Sequence, residues 1–152
     1  MPERLRVMID VCAAVLHAHQ RGLVHRDLKP GNLLVVEDGG VAYPKVIDFG
    51  LAKILSPDLL AGPIATTMVG RLLGTPEYMA PEQAAGGAVD TRADVYALGV
   101  VLFELLTGAL PFSPTELRSR GLASVVRTLH EVEAPRASTV VHDAAAASRS
   151  TD

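Results

Sequence analysis

The chain has 152 residues, a formal net charge of −3, and 49% hydrophobic but only 4% aromatic content. That length suits one domain with a sizeable, largely aliphatic core. The acidic balance, with no lysine beyond Lys53, argues against nucleic acid as the main partner, and a single cysteine, Cys12, excludes an internal disulfide and a Cys-rich zinc site.

Residues 3–20 are expected to form an amphipathic helix. Leu5, Met8, Ile9, Cys12, Val15, Leu16 and His19 recur at three- and four-residue steps, the repeat that lines up side chains on one face. This spacing puts Cys12 on the apolar face as a buried thiol, with Gly22 near the helix end as a cap. His17 and His19 lack a second pair of ligands at zinc spacing, so they read as helix-end residues. Glu3, Arg4, Arg6 and Asp10 interrupt any early apolar run, so no signal peptide is read here.

Residues 33–37 and 41–47 read as two short strands joined by the turn Asp38-Gly39-Gly40. Residues 51–73 are rich in Pro, Gly, Ser and Thr without a sustained period, and a loop of that length is usually functional. Thr91 is the expected N-cap of a helix running through Asp94, Leu98, Val101, Leu102, Leu105 and Leu106 to Gly108. Residues 95–112 are the most apolar stretch, but Gly99, Glu104, Gly108 and Pro111 make it a core helix rather than a membrane span. Residues 114–133 are helical with a break near Gly121. Beyond Pro135 the Ala/Ser-rich chain is expected to be disordered.

The chemistry lies between these elements. His25-Arg26-Asp27-Leu28-Lys29-Pro30-Gly31-Asn32 places Asp27 and Asn32 five positions apart in a segment with no helical period. Asp48-Phe49-Gly50 follows the second strand, and residues 74–82 contain Ala80-Pro81-Glu82. A hairpin between the first two motifs brings their ends together. H-R-D-x-x-x-x-N, then D-F-G, then A-P-E is the order of the protein-kinase signature set. On these residues the chain resembles the large C-terminal lobe of a protein kinase of the bacterial serine/threonine type, over about residues 4–136.

The resemblance implies a mainly α fold with a small β-hairpin: a kinase-like lobe spanning residues 1–136, followed by a disordered tail at 137–152. It implies ATP and Mg²⁺ as cofactors and protein Ser/Thr hydroxyls as substrates. Asp27 is the implied proton acceptor, Lys29 the charge beside the transferring phosphate, and Asn32 and Asp48 the metal ligands. Leu34 is expected under the adenine and Thr75 in the substrate-docking segment. Arg26 marks kinases activated by loop phosphorylation, with Thr66 and Thr67 as candidate acceptors. His25 and Phe49 are expected to stack, Asp94 to accept hydrogen bonds from the catalytic-loop backbone, and Glu82 to form a buried ion pair with a late arginine.

Other kinase features are missing from these 152 residues. There is no G-x-G-x-x-G, and Lys29, Lys45 and Lys53 are not in a V-A-I-K context. No late arginine stands in the expected context for Glu82. The expectation is therefore a truncated kinase, cytoplasmic and inactive alone, without its small lobe or final helices. A complementary small lobe or a second copy is its expected partner. The alternatives are a non-catalytic binding or pseudokinase module and a non-functional product of a truncated gene. Small-molecule phosphotransferases share an Asp/Asn/Asp set, but residues 74–82 match a protein-docking segment.

Overall fold

The computed structural model describes residues 2–49, 75–119 and 121–149. The structure is mostly helical with a single two-stranded antiparallel sheet among these residues.

Helix α1 (Pro2–His19) leads into an irregular segment and a 3-10 turn, Pro30–Asn32, which opens directly into β1 (Leu33–Asp38). β1 pairs with β2 (Val41–Val46) in a register running from Leu33 opposite Val46 to Asp38 opposite Val41. Gly39 and Gly40 join them with φ of 58° and 78°. A tight two-residue hairpin turn needs positive φ at both central positions, where glycine meets no Cβ penalty. The hairpin stands as expected.

Helix α1 ends as its sequence suggests but faces the core differently. Gly22 has φ 74°, and the Leu23 N–H donates back to the Ala18 carbonyl at 3.0 Å, a left-handed termination of the helix. The buried stripe is Met8, Val11, Val15 and Ala18, while Ile9 is 67% exposed and Leu16 57%. Cys12 is exposed, which corrects the expectation of a buried thiol. So many of the residues in α1 are apolar that two stripes fit the same period. They lie roughly a third of a turn apart at 3.6 residues per turn, and periodicity alone does not choose between them.

A second 3-10 turn (Pro76–Tyr78) precedes the short helix α2 (Pro81–Ala84) and the long helix α3 (Thr91–Thr107). The N-cap of α3 is Asp90 rather than Thr91: its carboxylate accepts the Arg92 N–H at 2.9 Å. Gly108, at φ 72°, closes the helix by donating its N–H to the Glu104 carbonyl at 2.8 Å. Two short helices follow, α4 (Pro114–Ser119) and α5 (Gly121–Glu131), so the break expected near Gly121 is present.

Residues 137–149 form a further helix, α6 (Ala137–Arg149), packed against α3. This corrects the expectation of disorder there. Alanine has the highest intrinsic helix propensity, so Ala-rich composition by itself does not argue against order.

Among the described residues the core has two parts. Met8, Val11 and Val15 from α1 meet Ala97, Leu98 and Val101 from α3 around Leu28 of the irregular segment. Ala84, Leu117, Val125 and Leu129 form a second cluster under α2, α4 and α5. Helix α3 borders both, through Leu98 and Tyr96 respectively. No helix among the described residues is long and apolar enough to cross a membrane.

Candidate active site

The segment carrying Asp27 has no regular secondary structure, so its polar backbone must find partners elsewhere. Two of them come from one buried carboxylate. Asp94, 1% exposed in the first turn of α3, accepts the His25 N–H on Oδ2 and the Arg26 N–H on Oδ1, both at 2.8 Å. The His19 ring reaches the same Oδ2 at 2.7 Å; a carboxylate only accepts, so Nε2 of His19 donates. From α2, Gln83 donates its side-chain amide to the Arg26 carbonyl at 2.8 Å. Arg26 is thereby held at φ 68°, a left-handed conformation uncommon for arginine.

The His25 ring connects the segment to the hairpin. The Asp27 N–H points at Nδ1 at 3.3 Å, so Nδ1 is the unprotonated nitrogen and Nε2–H donates to the Ile47 carbonyl at 2.9 Å. The Phe49 ring lies against it, with centroids 4.7 Å apart and planes tilted by 48°. The Ile47 N–H in turn donates to the Asn32 carbonyl at 3.0 Å. These contacts place Asp48, which is exposed and at φ 58°, beside the Asn32 end of the loop.

Asp27 and Asn32 meet directly. Asn32, only 6% exposed, donates Nδ2 to the Asp27 carbonyl at 2.8 Å and to Asp27 Oδ2 at 3.3 Å. Lys29 Nζ approaches the same Oδ2 at 2.9 Å and Thr75 Oγ1 at 3.4 Å, linking the loop to the segment that carries Thr75. The Asp27 side chain is 45% exposed, and its Oδ1 has no hydrogen-bond partner among the described residues. Leu34, at the start of β1, is 47% exposed.

No three His, Cys, Asp or Glu side chains converge among the described residues. The residues that could hold a metal here are Asn32, through its amide oxygen, and Asp48, through its carboxylate. With Nδ2 committed to Asp27, Asn32 Oδ1 has no partner among the described residues. Two hard oxygen donors fit Mg²⁺, which takes one or two protein ligands and completes its shell with water and phosphate.

Glu82 makes no ion pair among the described residues. The buried carboxylate paired with an arginine is instead Glu77, 3% exposed, whose Oε1 accepts Arg118 Nε at 2.6 Å across from α4. Its neighbour Tyr78 donates its hydroxyl to Glu104 Oε2 at 2.6 Å. Burial, and then the Glu104 carboxylate, push the Tyr78 phenol well above its ordinary pKa. Nothing in the spacing of Glu77, Arg118 or Glu104 signals these pairings. Gly50, Thr66, Thr67 and Gly74 lie outside the described residues.

Residues 2–149 match the protein kinase domain family. The chain belongs to that family. It is 48% identical over 122 residues to serine/threonine-protein kinase Pkn1 of Myxococcus xanthus, covering 80% of this chain and 17% of that protein. It is 46% identical over 110 residues to PrkC of Bacillus subtilis, covering 72% of this chain and 16% of PrkC. It is 41% identical over 110 residues to PknB of Mycobacterium leprae, again 72% and 16%. The chain thus spans about a sixth of the length of these relatives. The family match continues through α6.

Proposed function

We propose that this chain is the catalytic-loop lobe of a serine/threonine protein kinase. The observation that carries the reading is the cluster on Asp27, whose Oδ2 is held by Lys29 and Asn32 while Oδ1 has no partner among the described residues. In this reading Oδ1 accepts the proton of a substrate Ser or Thr hydroxyl. The hydroxyl oxygen bonds to the γ-phosphorus of ATP, the bond to the β-phosphate bridging oxygen breaks, and ADP leaves. Lys29 sets a positive charge beside the transferring group and ties the loop to Thr75 of the docking segment. Asn32 and Asp48 hold Mg²⁺, which neutralises phosphate charge when bound. Leu34 forms the lower wall for the adenine. Arg26 receives the phosphate of an activating site, with Thr66 and Thr67 as the acceptors proposed. Glu82 keeps its proposed role as a structural carboxylate for a late arginine partner. The proposed setting is the cytoplasm, with a protein substrate and a complementary small lobe or second copy as partners.

These 152 residues alone are proposed to be inactive. They contain no glycine-rich loop and no strand lysine to orient the phosphates. Orientation of reacting groups is worth many orders of magnitude in rate. The test is a fusion carrying a kinase small lobe ahead of residue 1, assayed with labelled ATP and a basic protein substrate. Asp27→Asn should abolish transfer and leave ATP binding largely intact. Asp48→Asn should weaken both metal binding and turnover. Unchanged transfer in Asp27→Asn removes the general-base role, and transfer by the unfused chain that is lost in Asp27→Asn shows it to be complete.

A further inference from the structure

The 3-10 turn Pro76–Tyr78 is held weakly by its own backbone and firmly from outside. Its two internal bonds are long: the Tyr78 N–H donates to the Thr75 carbonyl at 3.2 Å, and the Met79 N–H to the Pro76 carbonyl at 3.3 Å. Thr75 stands at the N-cap of the turn but makes no side-chain capping bond. The two external bonds are short and involve charged groups, which makes them the stronger pair. Glu77 Oε1 accepts Arg118 Nε from α4 at 2.6 Å, and the Tyr78 hydroxyl donates to Glu104 Oε2 of α3 at 2.6 Å.

The Arg118 side chain is 64% exposed, and an arginine so placed ordinarily contributes little through an ion pair. Its partner changes that. Glu77 is buried and its Oε2 is sealed without a partner among the described residues, so Oε1 relies on the arginine. Arg118 also follows directly on Leu117, which is buried in the cluster with Ala84, Val125 and Leu129 and fixes the backbone of α4 there. Two positions before Glu77, the Thr75 hydroxyl accepts Lys29 Nζ at 3.4 Å, and the same Nζ reaches Asp27 Oδ2 at 2.9 Å. Three positions after Glu77, the Ala80 N–H donates to Gln83 Oε1 at 3.1 Å, and Gln83 donates to the Arg26 carbonyl at 2.8 Å. The far end of the segment is therefore anchored without Arg118. The Thr75 end has no anchor of that kind among the described residues.

We propose that Arg118 is a positioning residue for phosphoryl transfer: by fixing Glu77 it sets Thr75, and through Thr75 it sets the Lys29 ammonium beside Asp27. The inference rests on the reading of Asp27 as proton acceptor and adds a residue that acts through the segment rather than on the reacting atoms. Without Arg118 the turn keeps its long internal bonds and the Tyr78 contact. Thr75 then drifts from Lys29, whose 3.4 Å contact already lies near the limit of a hydrogen bond.

Two measurements separate this inference from the reading it rests on. In the unfused 152-residue chain, a nuclear Overhauser contact between the Thr75 methyl and the Lys29 side chain reports the link without any activity. It should be lost in Arg118→Ala and stay lost in the double variant Glu77→Gln/Arg118→Ala, where removing the buried charge returns part of the stability. Arg118→Lys should keep it, because a single N–H bond does not need the guanidinium fork and the lysine nitrogen reaches as far as Nε. In the small-lobe fusion, the double variant should turn over about a hundredfold more slowly than the wild type, the scale of an ångström of misplacement. The KM for ATP should be unchanged, and Arg118→Lys should keep most of the turnover. Circular dichroism sets a temperature at which each variant is folded. A Thr75–Lys29 contact that survives in the double variant overturns the proposal whatever the fusion does. So does turnover that returns with stability, which makes Arg118 a purely structural residue, or an Arg118→Lys variant that behaves as Arg118→Ala. If Asp27→Asn transfers phosphate normally, the general-base reading fails, and the contact still decides whether Arg118 sets Thr75.

Discussion

The carboxylate of Asp94 accepts the backbone N–H of His25 at 2.8 Å across 69 positions of sequence. The first turn of α3 thus supplies the acceptor that a loop without regular structure cannot provide for itself. His19 and Arg26 donate to the same carboxylate, so one side chain satisfies three donors. Asp94→Ala leaves all three without their acceptor. A stranded donor costs about 1–3 kcal/mol, so the variant should lose about 3 kcal/mol or more of stability. Urea unfolding followed by circular dichroism measures this, and a loss below about 1 kcal/mol contradicts the anchoring role.

Tyr78 predicts an alkaline signature. Its folded pKa lies above the ordinary 10.0, raised first by burial and then by Glu104. The folded state therefore holds the phenolic proton more tightly than the unfolded chain. That stabilisation is fully present below pH 10 and is lost as pH rises through the folded value. Between about pH 9 and about pH 11 the wild-type unfolding midpoint should fall more than that of Tyr78→Phe. Identical falls would show that Tyr78 does not contribute.

Glu77 and Arg118 allow a rescue experiment. Glu77 Oε2 is sealed from solvent without a partner among the described residues, so Oε1 depends on the arginine. Arg118→Ala should lower the unfolding midpoint because it leaves a buried carboxylate without its cation. Adding Glu77→Gln should recover part of the loss by removing the charge. If the double variant is less stable than Arg118→Ala, the buried charge is not the cause.

Cys12 lies on the outward face of α1. One equivalent of an aromatic disulfide reagent should therefore react with the folded chain without denaturant. A reaction that waits for unfolding would place the thiol in the core after all.

Local signals carried far in this sequence, and long-range ones did not. Gly22, Gly39, Gly40 and Gly108 all adopt the positive φ that their turn and cap positions suggested, because those demands involve only neighbouring residues. The Asp27 and Asn32 pairing was legible for the same reason, since five positions of tight loop bring the two side chains together. The face of α1 was legible only in part: Met8 and Val15 of the expected stripe are buried, but Val11 and Ala18 join them while Leu5, Ile9, Cys12 and Leu16 face out, because Met8, Val11 and Val15 pack against α3, which helical period does not encode. Arg118 lies 41 positions from Glu77, and no spacing rule joins them. Helix α6 was obscured because its Ala/Ser content was weighed as low complexity rather than as helix propensity.

The His25 ring holds its surroundings from several directions. Its Nε2–H reaches the Ile47 carbonyl, its Nδ1 faces the Asp27 amide, and its face meets Phe49, while its own backbone N–H is held by Asp94. An amide in an irregular loop usually exchanges its proton with solvent through small local openings. Here, releasing the His25 N–H means parting it from a carboxylate buried in the first turn of a core helix. Deuterium should therefore enter His25 and Arg26 at the slow pace of the interior of α3 rather than at the pace of a loop, making the segment that carries Asp27 part of the slowest-opening unit of the molecule.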